Sequence, residues 1–160
     1  MNYESHNIDI FKVVDYLLCK SDIETEDYIS NLKLQKLLYY CQGFVLAITQ
    51  KTLFTNDIIA WEHGPVVKEV YNKYKDNGAL GICPPTDSEE HYYDEITKSE
   101  IGNIIDEVWD VYGQFSAWKL RNMTHAETPW QKTKRNDVIS NDLLYEYFIN
   151  QVEDEENKEN

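Results

Sequence analysis

This 160-residue chain has few breakers of regular structure, with only six glycines and four prolines. No glycine-rich phosphate loop is among them, and Gly78 and Gly81 read as turns. No stretch forms a linker that would separate two domains. Cys19, Cys41 and Cys83 are odd in number and widely spaced, with no close pairs of the kind a structural zinc site needs. His6, His63, His91 and His125 are equally scattered, so no metal is expected. Bases are scarce too: 15 Lys and Arg stand against 29 Asp and Glu, a formal charge of -14. A field of that sign repels polyanions and disfavours direct nucleic-acid binding. No run approaches the ~18 apolar residues of a spanning helix, so no membrane partner is expected. The opening MNYESHNIDIFKVV lacks a basic segment followed by an apolar one, and the expectation is a cytoplasmic, reduced protein.

Apolar residues are plentiful at 42%, with 12 tyrosines and four tryptophans, which excludes a disordered acidic chain. The length predicts one domain that buries roughly 70% of its unfolded surface. Ile8, Phe11, Val14, Leu17 and Leu18 recur at helical spacing. Leu34, Leu37, Leu38, Cys41, Val45 and Ile48 mark one face of a stronger helix, widened by Tyr39, Tyr40 and Phe44 and capped by Ser30 or Asn31. Cys41 suits a buried thiol there. Gly43 weakens this helix by ~1 kcal/mol unless another element packs against it. Residues 53–61 read as a short strand or extended arm, and 76–96 as a long loop with a second candidate strand over 82–96. Pro65 suits the first position of a helix running through Val66, Val67, Val70 and Tyr74. Thr97 and Glu100 have the spacing of a capping box before Ile101, Ile104, Ile105 and Val108. Ser116 starts a further helix, and Ser140 or Asn141 caps the last. The fold class expected is mainly α: a single compact domain of about five to seven helices over 1–152, a small β element near 53–61, and an acidic, frayed tail at 153–160.

Catalysis finds little support. Ser116, His125 and Glu127 are close in sequence, but no strained nucleophile turn surrounds the serine. No cofactor is indicated. Charge placement says more. Glu89, Glu90, Asp94, Glu95, Glu100, Asp106, Glu107 and Asp110 accompany only Lys98, whereas Lys119, Arg121, Lys132, Lys134 and Arg135 accompany only Glu127. Two such faces fit solvation or a bipolar partner surface. Tyr92 and Tyr93 lie in a polar loop that offers no evident packing, and Trp130 follows Pro129 in another; all three are candidate partner contacts with Lys132, Lys134 and Arg135. Trp109 and Trp118 fall on helical patterns and read as core.

Two stretches go further. NLKLQKLLYYCQGFVLA (Asn31 to Ala47) followed by AWEHGPVVKEVYNKY (Ala60 to Tyr74) resembles the Panacea domain, the family of SocA-like antitoxins and GepA-like phage-associated proteins. LRNMTHAETPW (Leu120 to Trp130) resembles its C-terminal signature. Cys41 and Phe44 stand where Ala and Trp are common. The resemblance spans roughly residues 8 to 150. It implies a non-enzymatic antitoxin that binds a cognate toxin protein directly, with adaptor delivery to a protease as an additional role. The matched positions are Leu34, Gln35, Lys36, Leu37, Tyr39, Tyr40, Trp61, Gly64, Pro65, Val66, His125, Pro129 and Trp130, for which a scaffold role is expected. A rival expectation is an acidic inhibitor that mimics DNA on a host nucleic-acid-binding protein.

Overall fold

The computed structural model describes all residues except Glu26, Asp87, Ser88, Glu90 and Asn160, and the side chains of 155–159 are also outside the description. Glu90 of the acidic run and Asn160 therefore lie outside the described residues, and the backbone of the tail expected to fray is helical as far as Glu159. Helix α1 (Ile10–Leu18) follows a short strand β1 (Glu4–Ser5), and α2 (Asn31–Thr49) forms the axis of the molecule. Around α2 pack α5 (Glu100–Tyr112), α6 (Ala117–His125) and α8 (Asn141–Glu159). Two single-turn helices, α4 (Asp94–Thr97) and α7 (Thr128–Gln131), and the seven-residue α3 (Lys68–Tyr74) complete the helical set. The architecture is mainly α with two small two-stranded sheets.

Helix α2 is buried almost all round. Leu34, Leu37, Leu38, Tyr39, Tyr40 and Cys41 are fully shielded, and Ser30 caps it by accepting from the Lys33 amide. At Gly43 α8 comes close: a Cβ there would lie 2.2 Å from the Phe148 ring. The missing side chain that weakens an isolated helix is thus what lets these two helices meet. Ser116 and Ser140 each accept from the amide three residues on and open α6 and α8.

Strand β2 (Lys51–Thr52) pairs in parallel with β1, and β3 (Ile59–Trp61) pairs antiparallel with β4 (Gly64–Val66) across the turn Glu62-His63. Pro65 therefore sits in a strand and does not open a helix. It lies opposite Ala60, whose amide and carbonyl bond Asp137 and Asn136 instead. The missing proline amide leaves no ladder bond unmade. The expected capping box is absent as well. Thr97 ends α4 and its hydroxyl donates to the Tyr93 carbonyl, while Ser99 stands before α5. No strand occurs among the described residues of 82–96.

Two aromatic expectations are corrected. Trp118 is 58% exposed, not core, because α6 turns Leu120 and Thr124 inward; Trp109 is half-buried against the core. Tyr92 and Tyr93 are not a free aromatic loop. They are half-buried on α1, where the stripe Lys12, Asp15, Tyr16 and Cys19 receives them. Tyr92 Oη donates to Asp15 Oδ2 at 3.2 Å, and the Tyr93 ring meets Tyr16 edge-on at 5.8 Å.

Candidate functional site

The three motif-bearing stretches converge on one side of α2. Gln35 there is buried, and both ends of its amide are used: Nε2 donates to Asn31 Oδ1 at 2.9 Å, and Oε1 accepts the Val67 amide at 2.9 Å. This pair fixes where the chain leaves the hairpin and enters α3, since Val67 is the residue before that helix. Lys36 is fully buried and its Nζ donates to the Pro65 carbonyl at 3.1 Å. Burial, with the Arg121 guanidinium adding to it, pushes the amine down to about 7. Gly64 adopts φ 111°, and a Cβ there would come within 2.7 Å of Lys36 Cε and 2.9 Å of Thr124 Oγ1. Only glycine satisfies both the backbone angle and the space.

The C-terminal stretch closes the arrangement. Trp130 Nε1 donates to the Trp61 carbonyl at 2.7 Å. The Trp130 ring stacks on His125, with centroids 3.9 Å apart and planes 8° from parallel. The Arg135 guanidinium lies 3.6 Å from the same ring centroid, so His125 and Arg135 must cover opposite faces of the indole. Burial and the nearby Arg121 hold the His125 imidazole below its ordinary pKa. Trp61 meets Tyr71 edge-on at 4.9 Å. Leu34, Leu37 and Val66 fill the core behind this surface, and Pro129 is buried at the start of α7.

Glu127 is the polar centre. Its carboxylate accepts from Tyr39 Oη at 2.9 Å and Tyr40 Oη at 2.8 Å. Burial raises it to about 7, against the opposing pull of hydroxyls from Tyr40, Tyr39 and Tyr147. Burial, with the neighbouring carboxylate adding to it, pushes both Tyr39 and Tyr40 well above the usual phenol range. Four elements are thereby linked through one carboxylate: α2, the α6–α7 junction, and α8 through Tyr147. Among the motif residues, this role was hidden by the composition of the stretch, although Glu127 is the lone acid between Lys119 and Arg135. Asn31, expected only as an alternative cap, instead braces Gln35 and the Tyr71 carbonyl, and Thr124 is a polar residue with no distinctive spacing.

The partner candidates divide. Trp130 and Arg135 are half-buried in the stack, Lys132 and Lys134 are exposed beside it, and Tyr92 and Tyr93 belong to the α1 face. The acidic segment is partly neutralised, with Lys12 on Glu95 at 2.8 Å, Lys20 on Asp106 at 2.6 Å and Lys98 on Asp94 at 3.2 Å. Among the described residues, no carboxylate pairs with any base between Lys119 and Arg135, no group of three His, Cys, Asp or Glu could hold a metal, and no helix is long and apolar enough to cross a membrane.

The geometry agrees in extent with what the chain is similar to. The family model described as "Antitoxin SocA-like, Panacea domain" matches residues 34–131, which run from the core of α2 through α7. Antitoxin SocA of Caulobacter vibrioides (strain NA1000 / CB15N) is 28% identical over 159 aligned positions, covering 88% of this chain and 75% of that protein. No solved structure matches the chain. With more than half its length matched, and the matched stretches tied to one another in space, the chain belongs to the SocA-like Panacea-domain family.

Proposed function

We propose that this chain is an antitoxin, a non-enzymatic cytoplasmic protein that neutralises a cognate toxin by binding it directly. The observation that carries the reading is the family match over residues 34–131, and the antitoxin named among its relatives supports it. The polar groups of the motif support a binding role over catalysis. Gln35, Lys36, Tyr39, Tyr40 and Glu127 are all buried and hydrogen-bonded within the protein, and groups so committed do not reach a substrate. The mechanism proposed is occlusion: residues 1–152 form a rigid body that covers the toxin's active site or holds it inactive. Delivery of the toxin to a protease is a further role that the same surface could serve.

Expression of the neighbouring open reading frame, alone and together with this chain, tests the reading. The expected result is growth arrest by the neighbour alone, relief on co-expression, and a complex that co-purifies. A neighbour that is harmless alone and never co-purifies defeats it. Salt separates toxin binding from mimicry of DNA. An acidic mimic loses affinity steeply as ionic strength rises, whereas a complex in which packed aromatic groups share the binding loses much less.

A further inference from the structure

We propose that the outer face of α6 is the docking surface for an acidic segment of the partner protein, with Trp118 as apolar anchor and Arg121 as carboxylate clamp. The inference rests on the antitoxin reading and names the surface and partner chemistry that reading lacks.

Trp118 is 58% exposed, while the same nine-residue helix buries Leu120 and Thr124 completely. Tryptophan and arginine are among the residue types enriched where a few side chains dominate binding energy. Arg121 is already posed. Its guanidinium lies 4.5 Å from the Trp118 ring centroid, Nε donates to His63 Nδ1 at 3.4 Å, and one terminal nitrogen donates to Asn122 Oδ1 at 2.9 Å. Neither partner is a carboxylate, so the cation is oriented without being neutralised. An arginine fork held this way loses little freedom when it accepts a carboxylate.

The surroundings extend the same chemistry. Trp118, Arg121 and His125 fall at helical spacing on one stripe of α6, and His125 carries the stripe to the Trp130–Arg135 stack. In a chain with 29 acidic residues, the exposed Lys119, Lys132 and Lys134 also pair with no carboxylate among the described residues. By contrast Lys12, Lys20 and Lys98 are all occupied by acids, and the other exposed bases without an ion pair among the described residues, Lys68, Lys73 and Lys75, lie on or beside α3 with no exposed tryptophan among them. A cluster of bases kept unpaired in an acidic protein is complementary to an anionic partner. A short acidic peptide segment fits better than nucleic acid. The charge of -14 repels a long polyanion as a whole, whereas a few carboxylates around one apolar residue meet only the local field and the indole.

The test titrates the purified product of the adjacent open reading frame into wild type, Trp118→Ala, Arg121→Glu and, as a charge-matched control on another face, Lys68→Glu. Growth rescue is scored in parallel, and thermal melts check folding. Both α6 variants should bind at least ~30-fold more weakly, the loss typical of a dominant interface residue, with rescue lost and melting unchanged. Lys68→Glu should match wild type. Should Arg121→Glu melt early, Lys119→Glu on the exposed side reads the same charge. Wild-type affinity and rescue in all α6 variants would overturn the surface and leave the antitoxin reading standing. A wild-type protein that neither binds nor rescues would end that reading, and this surface with it. A single-stranded oligonucleotide is the last arm: binding that Trp118→Ala abolishes would assign the patch to nucleic acid and overturn the proposal.

Discussion

Replacing Glu127 with glutamine should make the protein more stable at neutral pH, although it removes an acceptor of two hydrogen bonds. The carboxyl is 8% exposed and burial carries it from 4.5 to about 7. Because the folded value is the higher one, the native state holds a proton that the unfolded chain releases between those two values. Stability is then lost as pH rises from 4.5 through 7. A displacement of that size is worth about 3 kcal/mol. Glutamine reproduces the protonated form, with one donor end and one acceptor end for the tyrosines, and has no proton to lose. Wild type and Glu127→Gln should therefore be of similar stability near pH 4.5. They should diverge in favour of the variant by about 3 kcal/mol at neutrality, or roughly 6–12 °C in Tm for a chain of this size. Urea unfolding of both proteins at several pH values across the window measures the difference directly. Parallel profiles would refute the reasoning, because the carboxyl would then be titrating at its ordinary value and the three tyrosine hydroxyls would be outweighing burial.

Lys36→Met should show the opposite slope. The buried amine falls from 10.5 to about 7, so wild-type stability climbs as pH rises through that range. The difference between wild type and variant should narrow in step, with the variant ahead at pH 7 and below. Gly64→Ala should cost about 2–5 kcal/mol in chemical denaturation, combining strain at the positive φ with overpacking against Lys36 and Thr124; a loss under 1 kcal/mol would mean that ~φ and packing both relax freely. Gly43→Ala should destabilise by about 1–3 kcal/mol or more, and Phe148→Leu in the same chain should recover part of that loss, since the added methyl strikes the Phe148 ring. Additive losses in that double variant would disprove the contact.

The long helices were legible because their signal is local. The apolar period of α2, the Ser30 cap and the serines before α6 and α8 need no distant partner to be read. The hairpin at 59–66 was harder, since Pro65 is equally at home at the start of a helix and opposite a residue whose hydrogen bonds go elsewhere. Only the segment around Asn136 and Asp137, some seventy residues on, decides between them. The capping box failed for a related reason. Thr97 had a nearer acceptor in the Tyr93 carbonyl once α4 had formed. Tyr92 and Tyr93 looked free because the stripe of α1 that receives them lies far off in sequence. At the site, the motif residues were legible one by one, but their connections through Glu127, Gln35 and Trp130 are tertiary and leave no spacing to count.

That separation between motif and surface bears on what a family resemblance reports. Gln35, Lys36, Tyr39, Tyr40, Gly64 and Trp130 each meet another segment of the same chain by a hydrogen bond or a close approach. Changing any of them disturbs the frame before it touches a partner. The side chains that remain available are those the core does not take up: an indole with more than half its area in solvent, and bases that no acid neutralises. A fold organised in this way can keep its inward polar brace constant while Trp118 and Arg121 vary, because Leu120 and Thr124 face the core from the other side of α6 and His125 alone joins the stripe to the Trp130 stack. The stripe carrying Trp118 and Arg121 can be rewritten without loss of Leu120 or Thr124 from the core. Recognition of the family therefore follows the residues that hold the protein together, and recognition of the partner follows those whose charge and apolar surface the protein leaves uncovered.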